Sequence, residues 1–554
     1  MVIALHWLDW VVILVYFVGI VAIGLIASRR VKKTADYFLG NRGFSVWIIL
    51  AQAFGVGTHA EMPVSLAGAV FQSGYSAIWY QWKNLFITPF YWILGPIFRR
   101  TRRTTIGEVY EDRYGNGMGA VYTLFALSFF TFNMGAMLKG AGKLVSVATG
   151  EAVTPNMVVI VMTGTFLAYS LVGGLVAAAY TDFVQSFFII ALSFLLIPLG
   201  LERVGGFTGI HESLDPQMLS LVTPGDVGVF TIFMLTLNGL IGIVAQPHML
   251  AAIGTGKDER TCRIGMAYGN FIKRFCTIGW ALVGLIVVVM LAQSGEVLAD
   301  REDAFGYATR ELLFPGAVGL MIACVLAANM STCSAFTVDA GALFTQNFYR
   351  RYAAKGRSDH NYLTVGRIAG VTVTSLGVLF GLYVDVVLEA FLFTETISAF
   401  MGISMFGAIS WRRANRYGAF ASLLLSSVLF FFLTYQEFGI LLRWEASNFG
   451  ISLLVGFASL VVFSLITKPE DKAALDPFYE RLATRSYLDE ASGEEKTITE
   501  EGHDLLVANL FSLGLSKGWG PFYRRFRVDL DGLALACVVV VALIALAKAI
   551  LYLP

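Results

Sequence analysis

The sequence predicts an all-α, polytopic membrane protein, and three observations lead to that class: composition, the length of the apolar segments, and the placement of charge. Of 554 residues, 56% are hydrophobic and 14% are charged, with a mean hydropathy of +0.69. A water-soluble domain this apolar lacks the polar groups to cover its surface. The net charge of +1 gives no reason to expect a nucleic-acid partner. The expected surroundings are a lipid bilayer, and no obligatory protein partner is indicated.

Apolar runs of roughly 20 residues are long enough to span a bilayer as helices. The chain contains about fourteen of them. They lie near 8–28, 44–73, 75–98, 118–148, 155–173, 180–202, 227–253, 267–293, 315–347, 362–384, 388–409, 415–435, 448–466 and 529–552. The first run follows no basic segment, so we expect it to remain as a spanning helix rather than to be a cleaved leader.

Basic residues are concentrated in alternate loops between these runs. The basic loops are 28–33, 99–103, 256–260, 349–357 and 411–416. Cytoplasmic loops carry an excess of Lys and Arg, so this pattern predicts that these loops face the cytoplasm. It predicts a multi-pass protein of the inner (plasma) membrane with both termini outside.

Two of the predicted helices contain residues that interrupt a helix. The segment "QAFGVGTHAEMP" (52–63) carries Gly55 and Gly57, and "LTLNGLIGIVAQPH" (235–248) carries Gly239, Gly242 and Pro247. They belong to the second and seventh runs, which cross the membrane in opposite directions. Interrupted helices at matching positions predict an inverted-repeat transporter with its site at the interruptions. A single glycine-rich helix would be explained by close packing alone.

These patterns divide the chain into six parts. The parts are a first helix and loop (1–43), a five-helix repeat (44–203), a second, inverted repeat (204–410), two further helices (411–466), a polar cytoplasmic loop (467–527) and a final helix (528–554). The loop is predicted to be a tether to the final helix, with a short amphipathic helix at 505–515.

The ninth run carries hydroxyl groups inside an apolar helix. In "AANMSTCSA" (327–335), Ala328, Ser331 and Thr332 follow i, i+3, i+4 spacing and lie on one helical face. Such hydroxyls bond back to the carbonyl four residues earlier, pack between helices, or bind an ion. The spacing alone leaves these alternatives open.

Four blocks resemble the sodium:solute symporter family, whose members include sodium-coupled sugar, proline and sialic acid transporters. The blocks are "DYFLGNRG" (36–43), "TIGEVYEDRYG" (105–115), "GGLVAAAYTDFVQ" (173–185) and "AANMSTCSAFTVD" (327–339). The resemblance implies a LeuT-like fold of 5+5 inverted repeats and import of a small polar organic solute by sodium symport, through alternating access.

The resemblance also implies a sodium site between the second and ninth helices. Its ligands would be the carbonyls of Gly55, Thr58 and Ala328 and the hydroxyls of Ser331 and Thr332. Asp182 would lie nearby, and a carboxylate within a membrane helix is functional by default. Ser334 fits a second sodium site of sialic acid members, but Ala335 stands where a further serine is needed.

The solute is not specified by these motifs. The arginine that holds the carboxylate in sialic acid members falls at Asn133, and candidate solute contacts are His59, Glu61, Asn133, Asn238 and Gln246. Glu61 has a second interpretation, a structural ion pair with a buried lysine.

Three other functions are weighed against sodium symport. Proton coupling through Asp182, Glu61 or His59 is one alternative, and a sensor of transporter fold with a separate signalling partner is another. An enzyme is not expected, because no metal-ligand spacing, nucleophile elbow or phosphate loop is present.

Overall fold

The computed structural model is a bundle of helices that belong to a multi-pass membrane protein. It describes residues 5–29, 37–38, 42–59, 61–223, 227–489, 495–498, 504–512 and 518–553. Most of the basic loop 28–33, part of the block 36–43, and much of the acidic run 489–504 lie outside the described residues.

Twenty α-helices and one hairpin are described. The helices are α1 (Trp7–Ser28), α2 (Val46–Gly55), α3 (Glu61–Ser73), α4 (Trp79–Trp82), α5 (Tyr91–Thr101), α6 (Ile106–Tyr114), α7 (Asn116–Ala148), α8 (Pro155–Val204), α9 (Gly206–Ser213), α10 (Val229–Gly242), α11 (Met249–Ile253), α12 (Glu259–Ser294), α13 (Ala304–Leu312), α14 (Ala317–Leu343), α15 (Asp359–Tyr383), α16 (Val387–Ser410), α17 (Arg416–Phe438), α18 (Ala446–Ile466), α19 (Lys472–Ala483) and α20 (Trp519–Ile550). Strands β1 (Arg485–Leu488) and β2 (Glu495–Ile498) pair antiparallel.

Ten helices of the described chain are long and apolar enough to cross a membrane: α1, α7, α8, α12, α14, α15, α16, α17, α18 and α20. The predicted runs 155–173 and 180–202 are joined in α8, which is continuous except for a kink at Gly174 (φ 54°). Only glycine fits this kink, because a Cβ there would lie 2.6 Å from the Tyr37 carbonyl oxygen. The predicted run 75–98 is divided into short helical pieces.

Both predicted helix interruptions are present. The second run ends as a helix at Gly55 and resumes at Glu61, and the seventh ends at Gly242 and resumes at Met249. We call residues 56–59 the first break and residues 243–248 the second break. Each break frees backbone carbonyls from the helical hydrogen-bond pattern.

The loop 467–527 is not the simple tether that the sequence predicted. Helix α19 packs on the bundle, with Leu475, Phe478 and Leu482 buried in the core. In the described part of the segment 505–515, residues Val507–Ser512 form a 3₁₀ helix rather than an amphipathic α-helix. Apolar residues of α19 and Leu505 are buried against the bundle.

Helix α14 runs through the middle of the bundle, in contact with α1, α7, α8 and α15. Its start is fixed by Asp9 of α1, whose Oδ1 accepts hydrogen bonds of 2.7 Å from the amides of both Gly316 and Gly319. Helix α12 packs along α2 and α3. The first break therefore lies between α8, α12 and α14.

Candidate functional site

The first break meets α14 at Thr332. The Thr332 hydroxyl lies 3.5 Å from the Gly55 carbonyl oxygen, 3.3 Å from that of Val56, and 3.3 Å from that of Ala328. The contact to Ala328 is the i−4 bond common for membrane-helix hydroxyls. The other two cross to α2, so one hydroxyl and three carbonyl oxygens from two helices converge on one point.

Asp182 of α8 lies beside this point. It is buried, Ser331 Oγ donates a hydrogen bond to its Oδ1, and a Cβ placed on Gly55 would lie 3.5 Å from its Cβ. Its second oxygen, Oδ2, accepts no hydrogen bond from any described residue. Leaving a buried carboxylate oxygen without a partner is costly. A cation bound here would relieve that cost.

Two more predicted residues have free hydroxyls near this point. Thr58 is buried, its amide donates to the Gly55 carbonyl oxygen at 3.0 Å, and its hydroxyl is without a hydrogen-bond partner among the described residues. The Ser334 hydroxyl is buried and has no partner within the described chain either. The oxygens gathered here are neutral or anionic, the ligand type that hard cations prefer.

The second break is closed by hydrogen bonds from neighbouring helices. Tyr122 OH of α7 donates to the Ala245 carbonyl oxygen at 2.8 Å, and Ser398 Oγ of α16 donates to that of Gly242 at 2.9 Å. Non-helical backbone within a membrane protein is tolerated where it is buried and satisfied in this way.

A cavity of about 50 Å³ lies between the two breaks. Residues of the first break (Val56, Gly57, His59) and of the second (Ile243, Gln246, His248) line it, together with residues of α2, α7, α12 and α16. This volume holds a water molecule or two but no organic solute. The cavity must widen before a solute can enter.

The predicted solute residues divide into two groups around this cavity. His59, Asn133 and Gln246 line it. Asn238 does not line the cavity. Its side-chain amide, oriented so that both the oxygen and the nitrogen have partners, bonds to Thr396, to Trp444 and to the Glu395 carbonyl oxygen.

The predicted pairing of Glu61 with a lysine is wrong in the described structure. Glu61 bonds to His59 Nδ1 instead. Lys143 pairs with Asp300 (2.7 Å) and Glu302 (2.6 Å) instead.

Three contributors were missed from the sequence. Val56 supplies a carbonyl near Thr332, and Lys273 and Arg274 of α12 line the cavity. A carbonyl carries no side-chain signal, and α12 looks like an ordinary apolar helix with an embedded basic pair. Two adjacent basic residues in a run otherwise suited to lipid are a signal by which the sequence could have identified this position.

The geometry is that of a helical membrane protein with two interrupted helices around a central cavity and a cluster of oxygen atoms at the first break. The family model of the sodium:solute symporter family matches residues 37–426. The chain belongs to this family, and sodium is its coupling ion.

Curated relatives match along most of the chain. The osmoregulated proline transporter OpuE of Bacillus subtilis is 25% identical, covering 83% of this chain and 95% of its own. The sodium/proline symporter of Escherichia coli is 24% identical (84% and 94%), and the sodium/glucose cotransporter of Vibrio parahaemolyticus is 23% identical (78% and 86%).

A solved structure shares the fold. It is the substrate-bound, outward-open state of a sodium-coupled sialic acid symporter, with a TM-score of 0.71 and 16% identity, covering 84% of this chain and 99% of that one. The fold of this protein is therefore the LeuT-like fold of that transporter.

Proposed function

We propose that this protein imports a small polar organic solute together with sodium by alternating access. The observation that carries the proposal is the convergence of Thr332 Oγ1 with the carbonyl oxygens of Gly55, Val56 and Ala328 beside Asp182. Two separate helices supply these oxygens, so neither helix alone forms the site.

In this proposal sodium bridges α2 and α14. The ligands are the carbonyls of Gly55, Val56 and Ala328 and the hydroxyls of Ser331 and Thr332, with Thr58 beside them and Asp182 attracting the ion. Binding there stabilises the state in which α2 and α14 are close. A ligand shifts a conformational equilibrium only through such a difference in affinity between states. A second ion bound at Ser334 would lack a side-chain ligand at the next position, because Ala335 carries no side-chain oxygen.

The solute would bind in the widened cavity between the two breaks, with His59, Asn133 and Gln246 as contacts and Glu61 orienting His59. Segments 44–203 and 204–410 would be the two inverted repeats of a protein with about fourteen spans. The basic loops would face the cytoplasm and both termini the outside of the plasma membrane. Inward movement of each sodium ion then gains about 2.3 kcal/mol per 100 mV of membrane potential.

The test is the melting temperature of the purified protein in sodium, potassium or choline chloride, at fixed pH and ionic strength. A ligand that binds the native state raises its stability in proportion to ln(1 + [L]/Kd). We expect sodium alone to raise the melting temperature of the wild type, and Ser331→Ala to lose that rise.

The control is Ser426→Ala on α17, a buried serine whose hydroxyl bonds to the Ser422 carbonyl oxygen of its own helix at 2.6 Å. It should keep the sodium response. A wild type whose melting follows pH and ignores sodium would favour the proton-coupled alternative. Solute binding without solute flux into vesicles would favour the sensor.

A further inference from the structure

Two basic side chains and one carboxylate line the central cavity. Lys273 and Arg274, adjacent on α12, line it and are 4% and 1% exposed. Glu395 of α16 is the acidic residue that lines it with them. Taking a charged side chain out of water costs several kcal/mol unless an opposite charge meets it.

Glu395 is already engaged by other residues. Its Oε2 lies 3.8 Å from Lys83 Nζ, and its Oε1 accepts a hydrogen bond of 3.4 Å from Gln246. Glu61, the other carboxylate nearby, bonds to His59. Among the described residues, neither Lys273 nor Arg274 forms an ion pair with these two carboxylates.

The basic pair has few partners of its own. Within the described chain, no carboxylate lies within 4.0 Å of Lys273 Nζ, and this atom makes no hydrogen bond. Arg274 Nη1 donates to the Gln81 carbonyl oxygen at 3.3 Å, while its Nε is without a partner among the described residues. Both side chains retain donors for an anionic group.

Lys273 also reaches the first break. A Cβ on Gly57 would lie 3.4 Å from Lys273 Nζ. Because Gly57 has no side chain, it leaves the ammonium group open to the cavity. An anion held there would lie within two residues of Gly55 and Val56, whose carbonyls form part of the proposed sodium site.

The rest of the lining suits hydroxyl and carbonyl groups. Both polar atoms of the Gln52 side chain are buried and unpartnered in the described structure, as are Asn133 Oδ1 and His248 Nδ1. Polar atoms left unpaired in this way favour a ligand that supplies complementary hydrogen bonds.

From this geometry we infer that the solute is a small organic carboxylate with further hydroxyl or keto groups, and that Lys273 and Arg274 bind its carboxylate. The inference rests on the proposed sodium-coupled function. It gives a physical basis for coupling, because the carboxylate and the sodium ion would bind on neighbouring residues of the same break.

The experiment measures melting of the purified protein at a fixed, saturating sodium concentration. The probes are L-lactate, pyruvate and D-gluconate, each beside its neutral amide, with D-glucose and L-proline added as comparisons. We expect at least one carboxylate to stabilise the wild type while its amide does not.

Three variants identify the group responsible. Lys273→Gln should weaken carboxylate binding by at least about tenfold, the loss expected for a hydrogen bond to a charged group. Lys273→Arg should retain part of it, and Lys355→Gln, on an exposed loop, should behave as wild type. The sodium response of each variant shows that it is folded.

Stabilisation by D-glucose or the amides alone would overturn the inference, as would equal carboxylate binding by Lys273→Gln. A response to L-proline alone would also overturn it, because proline is a carboxylate without a hydroxyl or keto group. A wild type without a sodium response would instead refute the proposed function, so the two failures are distinguishable.

Discussion

The two helix breaks look alike in the sequence but differ in how their carbonyl groups are satisfied. At the second break, Tyr122 and Ser398 donate hydrogen bonds of 2.8 and 2.9 Å. At the first break, one hydroxyl, that of Thr332, is shared between Gly55 and Val56 at 3.5 and 3.3 Å. Hydrogen bonds between hydroxyl donors and oxygen acceptors are commonly 2.5–3.0 Å long.

The difference in hydrogen bonding indicates that the two stretches of non-helical backbone serve different purposes. The second break is held by the protein itself, so it forms a fixed wall of the cavity. At the first break the side-chain hydroxyl contacts to Gly55 and Val56 are long, although the Thr58 amide also donates to Gly55 at 3.0 Å, and Asp182 Oδ2 is without a partner among the described residues. An ion would give Asp182 Oδ2 a partner, whereas side-chain donors already hold the Gly242 and Ala245 carbonyl oxygens of the second broken helix.

The two broken helices are joined at the face that carries the basic loops. The Phe44 amide, just before α2, donates to the Thr255 carbonyl oxygen at 3.2 Å, and the Lys257 amide donates to that of Phe44 at 3.2 Å. Glu495 of β2 lies over this junction and pairs with Arg99 (2.5 Å) and Arg42 (3.1 Å). The chain just before the first broken helix is therefore hydrogen-bonded to the chain just after the second.

The largest stability effect is expected at the second break. Tyr122→Phe removes the donor to the Ala245 carbonyl oxygen and should cost about 1–3 kcal/mol of unfolding free energy, because a buried acceptor loses its partner. The measurement is thermal melting in sodium. Sodium affinity should remain as in the wild type.

Tyr75→Phe is the matched control for that variant. Tyr75 and Tyr122 are both fully buried, but the Tyr75 hydroxyl has no hydrogen-bond partner in the described structure. Its removal should leave stability unchanged or slightly raised. Equal losses in the two variants would mean that the second break is not held by Tyr122.

A smaller, pH-dependent effect on the free energy of unfolding is expected where Glu495 pairs with Arg99 and Arg42. Burial alone would raise the pKa of Glu495, but the charges of Arg99 and Arg42 and the hydrogen bonds from Arg99 hold it below its ordinary value. A carboxyl whose pKa is lowered by folding stabilises the native state above its unfolded pKa of about 4.3, and this contribution is lost as the pH falls through the lowered pKa.

Glu495→Gln should therefore lower the melting temperature at neutral pH, by the equivalent of about 1 kcal/mol or less, and the difference from wild type should vanish in acid. The control is Asp476→Asn, which removes an exposed pair with Arg412 and should have almost no effect. A Glu495→Gln deficit that grows as the pH falls would contradict this account of the junction.

The sequence predicted the features that depend on local pattern. The breaks at Gly55 and Gly242 follow from glycine and proline within apolar runs, and the hydroxyl face of α14 follows from the spacing of Ala328, Ser331 and Thr332. Both can be seen within about a dozen residues of chain.

Features that depend on distant packing were not predictable. Val56 joins Thr332 only because α2 ends one residue earlier, and Lys273 reaches Gly57 only because α12 packs along α2. The docking of α19 depends on the surface that Leu475 and Phe478 find on the bundle. The kink at Gly174 depends on the position of Tyr37. None of these contacts leaves a pattern within one segment.

Equilibrium binding of radiolabelled sodium to the purified protein measures whether the ion binds at the first break. Thr332→Val keeps the side-chain shape and removes the hydroxyl. We expect saturable binding to the wild type that potassium does not displace, weakened by at least about tenfold in Thr332→Val and unchanged in Tyr122→Phe. Absence of saturable binding, or equal binding by Thr332→Val and the wild type, would contradict sodium binding at the first break.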